Sequence, residues 1–162
     1  MKYFFTILAI SPILLLSGCG NLDAQKVEDP SNLVYEEYPG LEDLLLEYAG
    51  TPLVLNSWAT WCPFCVRELP DFATIQAEFG DQVQIIAINR AESTSRMATY
   101  TTDLGVESAL LFMTDNADSF YRNIGGFSMP ETLFINANGE TMFHNRGQLQ
   151  LEEIRSQIQQ LL

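Results

Sequence analysis

The chain has 162 residues and a formal net charge of −13, from 21 acidic side chains and eight lysines and arginines. This length supports one domain of ordinary size with additional segments. Because no basic stripe interrupts the acidic composition, nucleic acid is excluded as a partner. Three cysteines are an awkward number for a secreted disulfide framework, but they separate into Cys19 alone and the pair Cys62 and Cys65.

Residues 1–18 have the pattern of an export signal. Lys2 provides a positive charge, and the apolar run after it is shorter than the roughly 20 residues that span a membrane. The run ends in Leu-Ser-Gly-Cys, which resembles the cleavage site of bacterial lipoproteins. We therefore predict that residues 1–18 are removed and that Cys19 becomes a lipidated N-terminus that anchors the chain in a membrane. The alternative is an ordinary signal peptide beside a chance cysteine.

Residues 19–39 are polar and contain two prolines, and their apolar side chains show no sustained periodicity. This composition predicts a flexible tether between the lipid and a single domain over residues 40–162. Residues 20–49 carry a net charge of −7. Repulsion between this charge and anionic headgroups would lift the domain off the membrane. A solvated linker without such a role explains the charge equally well.

From residue 41 onward, helical and strand patterns alternate. Helices are predicted over residues 41–48, 62–79, 93–104, 116–124 and 149–162. Pro70 is expected to break or kink the second of them. Strands are predicted over residues 52–58, 83–89 and 109–113, and a hairpin over residues 132–136 and 140–144. This order predicts an α/β fold in which a mostly parallel sheet has helices on both faces and an antiparallel hairpin at its edge.

Cys62 and Cys65 stand where the strand pattern of residues 52–58 changes to a helical one. A helix N-terminus favours a thiolate over a thiol, and Pro63 suits the first helical position. The pattern predicts a reversible dithiol/disulfide pair in which Cys62 is the exposed nucleophile and Cys65 the resolving thiol. A structural disulfide or half of a zinc site is the alternative. Zinc needs four ligands, however, and the only histidine is His144.

Three features together resemble the thioredoxin fold. Trp61-Cys62-Pro63-Phe64-Cys65 follows a buried strand, Pro70 comes five residues later, and Met129-Pro130-Glu131-Thr132 leads into the hairpin. The resemblance covers residues 41–162. It implies a thioredoxin-like three-layer α/β/α fold with a central mixed sheet.

Further details resemble the extracytoplasmic TlpA/ResA-like branch of this fold, which includes the cytochrome c maturation thioredoxins. Asn56 stands where plain thioredoxin has a buried Asp, and Glu68 stands where this branch has an acid. A helix and a strand over residues 93–113 resemble the α-β insertion of that branch before the cis-proline strand. Residues 126–132 also resemble the Gly-x-x-x-Pro-Glu-Thr motif of the cytochrome maturation members.

The resemblance implies roles for two residues behind the cysteines. Glu68, one helical turn after Cys65, is expected to take and return the proton of that thiol. The alternative is a surface glutamate beside Arg67. Asn56 cannot titrate and is expected to hydrogen-bond to buried backbone or to a water.

The resemblance also implies a surface for substrate. Pro130 is expected to be a cis proline that faces the redox pair and exposes the Met129 backbone to an extended substrate segment. A turn proline that begins a strand is the alternative. The remaining predicted substrate-binding residues are Trp61, Pro63 and Phe64.

The function implied is that of a lipid-anchored thiol–disulfide oxidoreductase, either periplasmic or on the outer face of the cytoplasmic membrane. As a monomer, it would reduce disulfides of exported proteins or of apocytochrome c, and a membrane-embedded thiol reductase would supply its electrons. The redox group would be the Cys62–Cys65 disulfide itself, with no cofactor and no metal.

Two alternatives remain at this point. A disulfide oxidant or isomerase would use the same residues at a higher reduction potential. A copper-delivering thioredoxin-like lipoprotein would use two cysteines and a distant histidine. Its cysteines are spaced one residue further apart than Cys62 and Cys65, and His144 is expected to be structural.

Overall fold

The computed structural model describes residues 33–162, so that the predicted signal, Cys19 and most of the predicted tether lie outside the described residues. Within these residues, the six strands are β1 (Glu36–Glu37), β2 (Leu53–Trp58), β3 (Gln84–Arg90), β4 (Leu111–Asp115), β5 (Glu131–Ile135) and β6 (Thr141–Arg146). The five α-helices of the same part of the chain are α1 (Leu41–Glu47), α2 (Pro63–Phe79), α3 (Thr94–Leu104), α4 (Ser119–Asn123) and α5 (Leu151–Gln159). Among the described residues, no helix is both long and apolar enough to cross a bilayer.

The strands form one mixed sheet in the order β1-β4-β3-β2-β5-β6. The first four are parallel to one another, whereas β5 is antiparallel to β2 and to β6. This confirms both the predicted parallel core and the predicted edge hairpin. The β2–β5 pairing sets Asn56 opposite Thr132 and Ser57 opposite Glu131. The C-terminal end of β2 and the N-terminal end of β5 are therefore adjacent, so the chain after β2 and the chain before β5 lie at the same end of these strands.

Alternation along the strands divides the core between the two faces of the sheet. Val54 and Trp58 of β2 point to the face covered by α2, α3 and α5. Leu53 and Leu55 point to the face covered by α1 and α4. The three predicted layers are therefore present, and the α3–β4 insertion precedes β5 as the resemblance implied.

Helix α2 carries the cysteine pair and runs for 17 residues. It begins after Cys62, with Pro63 at the first helical position, and it ends at Gly80, whose φ of 55° suits glycine. We predicted a break or a kink at Pro70, and the break is absent, since the helix continues through that residue. Leu69 and Phe72 are fully buried on either side of it. Their packing outweighs the backbone hydrogen bond that a proline cannot donate.

The folded domain begins before residue 40, the boundary that we predicted. Glu36–Glu37 pairs with β4 as an edge strand, and the Tyr38 N–H donates to the Thr114 carbonyl at 2.7 Å. The Tyr38 ring packs edge-on against Phe120. Both residues of this strand are exposed glutamates, so the sequence lacks the alternation of apolar and polar residues that would indicate a strand. Its contacts depend on partners far along the chain.

Several element boundaries also differ from the predictions by one to three residues, and two of these differences have a visible cause. β4 begins at Leu111 rather than at residue 109, because the preceding residues form a turn in which the Ala109 N–H donates to the Val106 carbonyl at 3.0 Å. α4 covers only Ser119–Asn123 of the predicted residues 116–124. The Asp115 carboxylate accepts the Phe120 N–H at 2.7 Å and fixes where that helix starts.

Candidate active site

Cys62 and Cys65 are joined by a disulfide at the N-terminus of α2. Cys62 is the N-cap, and its sulfur accepts the Cys65 N–H at 3.2 Å. A donor in this position stabilises negative charge on the Cys62 sulfur, as does the helix terminus itself. Cys62 is only 4% exposed in this disulfide-bonded state, so it is not the exposed residue that we predicted. Its sulfur is bonded to Cys65 and turned onto the helix end, but it remains the more accessible of the two, since Cys65 is fully buried.

The turn that leads to Cys62 is tied down by a residue that sequence reasoning missed. The Glu92 carboxylate accepts the Thr60 N–H at 2.7 Å and the Thr60 hydroxyl at 2.6 Å. It also accepts the Asn89 side-chain amide at 3.0 Å. Ala91, with a φ of 47°, turns the chain after β3 so that Glu92 faces Thr60. The available signal was an acid just after a strand that neighbours β2.

A second missed residue, Arg90, connects the Cys62 turn to the loop before Pro130. Its guanidinium makes two hydrogen bonds with Asp118, at 2.7 and 2.6 Å. It lies 3.5 Å from the centre of the Tyr121 ring and 5.9 Å from that of Trp61. Tyr121 in turn packs against Gly126, where a Cβ would approach the ring to 2.5 Å. A side chain at residue 126 would therefore displace the Tyr121 ring from its place beside Arg90.

Within residues 33–162, three aromatic side chains are exposed, two of them next to the cysteines in the sequence and the third in the loop before the cis proline. Trp61 is 56% exposed, Phe64 is 53% exposed and Phe127 is 87% exposed. Every other aromatic residue in the described part of the chain is at least partly buried. The Arg67 guanidinium stacks 4.5 Å from the centre of the Phe64 ring. Trp61 and Phe64 were predicted to contact substrate, whereas Phe127 was not identified.

The Met129–Pro130 peptide bond is cis, as the resemblance implied. The fully buried Glu131 holds the loop before it by accepting the N–H groups of Phe127 at 2.5 Å and Ser128 at 2.8 Å. His144 Nε2 lies 2.7 Å from the same carboxylate. Burial alone would raise the pKa of Glu131, but these hydrogen bonds outweigh it and hold the pKa below its ordinary value.

Glu68 is fully buried behind the cysteines, which excludes the alternative of a surface glutamate. Its Oε1 accepts the Asn56 side-chain amide at 2.7 Å, and its Oε2 accepts the Leu149 N–H at 3.1 Å. Burial raises the pKa of Glu68 to about 8, against the opposing effect of these two donors. We expected Asn56 to bond to backbone or to a water, but both of its partners are side chains. Besides Glu68, its amide donates to the Thr132 hydroxyl at 3.0 Å.

The ligands of the copper alternative are not brought together. Within residues 33–162, no group of three histidine, cysteine, aspartate or glutamate side chains is arranged to hold a metal ion. His144 is opposite Leu133, whose side chain packs on the α1 and α4 face of the sheet. Both cysteines belong to the core on the other face.

Comparison with known proteins gives consistent matches. The sequence profile of the Redoxin family matches residues 39–162. The thiol:disulfide interchange protein DsbE of Vibrio cholerae is 33% identical over 100 residues, which are 62% of this chain and 52% of DsbE. The thiol-disulfide oxidoreductase ResA of Halalkalibacterium halodurans is 30% identical over 118 residues, 72% of this chain and 66% of ResA. The chain thus spans about half of DsbE and about two thirds of ResA.

Among solved structures, that of MTB dsbF superposes with a TM-score of 0.66. The superposition covers 72% of this chain and 84% of that chain, at 23% identity. This likeness supports the thioredoxin-like fold.

Proposed function

The chain belongs to the Redoxin family, and we propose that it is an extracytoplasmic thiol–disulfide oxidoreductase that works through Cys62 and Cys65. The observation that carries the proposal is the bonded cysteine pair at the N-terminus of α2, with a buried carboxylate one helical turn behind it. The names of DsbE and ResA describe the same chemistry.

In the reducing direction, the reaction begins from the dithiol. The Cys62 thiolate attacks one sulfur of a substrate disulfide, which forms a mixed disulfide and releases the first substrate thiolate. Cys65 then loses its proton and attacks the Cys62 sulfur. This step forms the Cys62–Cys65 bond and releases the second substrate thiolate. Two electrons pass from the dithiol to the substrate, and each substrate thiolate takes a proton from solvent.

Glu68 is the acceptor of the Cys65 proton. The two groups are three residues apart on α2 and therefore share one face of the helix. A pKa of about 8 for Glu68 is close to the ordinary value of a thiol, about 8.5, so the proton moves between groups of similar affinity. Burial keeps this exchange away from bulk water. When the disulfide is reduced again, Glu68 returns the proton to Cys65.

The substrate is a polypeptide that docks in an extended conformation on the surface around the disulfide. Met129 precedes β5 and packs against the core that contains both cysteines, so its backbone is placed to pair with an incoming segment. Trp61, Phe64 and Phe127 offer apolar area to the side chains of that segment. Pro63, exposed between the cysteines, completes this surface.

The remaining parts of the proposal come from the sequence. The Leu-Ser-Gly-Cys pattern supports lipidation of Cys19 and a location outside the cytoplasm. A dithiol in that location needs a source of electrons, for which we propose a membrane-embedded thiol reductase. The substrates would be disulfides of exported proteins or of apocytochrome c, and the chain would act as a monomer.

Two measurements test the proposal. The reduced chain should reduce insulin disulfides, and a variant with Cys62→Ser and Cys65→Ser should not. Equilibration with glutathione then gives the reduction potential. A value well below about −200 mV supports a reductant, whereas a value near about −120 mV would assign the oxidant role instead. A wild-type chain that exchanges no disulfide at all would refute the proposed function.

A further inference from the structure

The carboxylate of Glu68 sits between two hydrogen-bond donors. Oε1 faces the Asn56 side-chain nitrogen at 2.7 Å, and Oε2 faces the Leu149 backbone nitrogen at 3.1 Å. This arrangement satisfies an ionised carboxylate, which only accepts hydrogen bonds. Glu68 and Asn56 are both fully buried, so water does not reach either group from bulk solvent.

The same arrangement gives a protonated Glu68 no place to donate its O–H. A proton on Oε1 would point at the Asn56 NH₂ group, and a proton on Oε2 would point at the Leu149 N–H. Neither group accepts a hydrogen bond. A buried donor without an acceptor is costly, so the protonated state requires a different arrangement of these partners.

Asn56 can provide that arrangement by turning over. A carboxamide has an oxygen and a nitrogen of similar size, so a half-turn exchanges their positions without moving neighbouring heavy atoms. After the turn, Oδ1 lies near Glu68 Oε1 and accepts its O–H. In this structure, Thr132 Oγ1 accepts a hydrogen bond from Asn56 Nδ2 at 3.0 Å. After the turn, the Thr132 hydroxyl would donate to Asn56 Oδ1 instead.

Either orientation leaves one end of the Asn56 carboxamide without a partner. In this structure Oδ1 is buried without a hydrogen-bond partner in residues 33–162. After the turn, the NH₂ group occupies that position and leaves its N–H donors unpaired, which costs more than one unpaired oxygen. The hydrogen bond that a protonated Glu68 donates to the turned Oδ1 offsets this extra cost, so the protonation state of Glu68 decides between the two orientations.

We propose that Asn56 is a positioning residue whose carboxamide reverses each time Glu68 gains or loses its proton. The inference rests on the proposed function in one respect, namely that Glu68 receives its proton from Cys65. As Cys65 gives its proton to Glu68 and attacks the Cys62 sulfur, Asn56 turns so that its Oδ1 accepts a hydrogen bond from the new Glu68 O–H. When the disulfide is reduced, the proton returns to Cys65 and Asn56 turns back.

In the hydrogen-bonded network of Glu68, Asn56, Thr132 and the Leu149 N–H, the group that titrates is Glu68. The other titratable or charged groups near it are the following. Cys65 and Asp71 lie one turn away on the same helix, and Arg67 is exposed and stacks on Phe64. On β5, Thr132 faces the network, whereas the neighbouring Glu131 points to the other face of the sheet. The charged side chains of α5 are Glu152, Glu153 and Arg155, which bond to surface partners.

Nuclear magnetic resonance of the isotope-labelled, disulfide-bonded full chain tests the reversal directly, because the cysteines do not titrate in that state. The Glu68 side-chain carbon reports its protonation across a pH titration. Above the Glu68 midpoint, we expect nuclear Overhauser contacts between the Asn56 NH₂ protons and the Thr132 methyl group. Below it, those contacts should be lost. Unchanged contacts across the Glu68 titration would overturn the inference.

The chain contains a matched internal control. Asn89 on β3 is also a fully buried asparagine that donates to a glutamate, Glu92, at 3.0 Å. Its NH₂ contacts should stay constant through the Glu68 titration. In a Glu68→Gln variant, the Asn56 contacts should become independent of pH. A pH response of Asn56 that persists without Glu68 would also contradict the proposal.

A second variant separates reversal from a fixed donor. If Asn56 serves both states of Glu68, Asn56→Ala should leave the Glu68 midpoint within about half a pH unit. If Asn56 only donates to the carboxylate, the same substitution should raise the midpoint by about one unit. A chain that exchanges disulfides while the Asn56 amide stays fixed refutes this inference alone, whereas a chain without exchange refutes the proposed function.

Discussion

Replacing Glu68 by glutamine should change how the stability of the oxidised protein depends on pH. In the folded chain, the pKa of Glu68 lies at about 8, against an ordinary value of 4.5. Between these values the native state holds a proton that the unfolded state has released. Stability therefore falls as the pH rises from 4.5 towards 8, and it levels off above 8. Glutamine stays neutral throughout and lacks this loss.

The size of the effect follows from the shift in pKa. Each unit corresponds to about 1.4 kcal/mol, so the move from 4.5 to about 8 amounts to about 5 kcal/mol. Local relaxation of the buried site reduces this figure. Even half of it is a large fraction of the ~5–15 kcal/mol by which a domain is stable. The Gln variant should therefore gain stability relative to wild type as the pH rises through this range.

Denaturant unfolding of both disulfide-bonded proteins at about pH 5, 6.5, 8 and 9 measures this difference, and groups that titrate equally in both proteins cancel. Glu78→Gln serves as the control. Arg155 donates to the exposed Glu78 and lowers its pKa, so its contribution is lost only as the pH falls below 4.5. Its difference from wild type should stay flat over the tested range. A flat difference for Glu68→Gln as well would refute the raised pKa.

Three other substitutions give distinct outcomes. Phe127→Ala should slow the reduction of insulin about tenfold and leave the reaction with oxidised glutathione unchanged, while Leu46→Ala, which removes an exposed side chain on α1, should slow neither. Glu92→Ala should lower the free energy of unfolding by about 2–4 kcal/mol in urea titrations, because it leaves the buried donors of Thr60 unpaired. Glu131→Gln should destabilise most above about pH 5 and progressively less below 4.5, since hydrogen bonds hold the pKa of Glu131 below that value. An equal loss at every pH would count against an ionised Glu131.

Much of the fold could be predicted because its signals are local. The strand pattern of β2, the helical stripe of α2 and the Asn-Gly turn of the hairpin each depend on neighbouring residues. β1 could not be predicted, because Glu36–Glu37 shows no apolar alternation and joins the sheet only through its pairing with β4. The break that Pro70 could have caused is absent for a related reason, since packing on either side of it overrides a local helix-breaking preference.

The site residues also fall into those that local sequence could predict and those that it could not. Cys62, Cys65 and Glu68 share one helix, so their spacing alone placed them together. Glu92 reaches the Cys62 turn from the loop after β3, and Phe127 gains its place from the loop that Glu131 holds. These contacts join residues that are not periodic in the sequence. Phe127 had one usable signal, an apolar residue beside the predicted cis proline in a loop.

The most direct test of the central claim asks which sulfur attacks the substrate. Reduced Cys65→Ser protein, mixed with a disulfide substrate, should accumulate a stable mixed disulfide on Cys62, because the resolving thiol is absent. The matched Cys62→Ser protein should accumulate little or none, since Cys65 is fully buried. Mass spectrometry after proteolysis identifies the bonded residue. A mixed disulfide that forms on Cys65 at a comparable rate, or on neither residue, would contradict the assignment of Cys62 as the nucleophile.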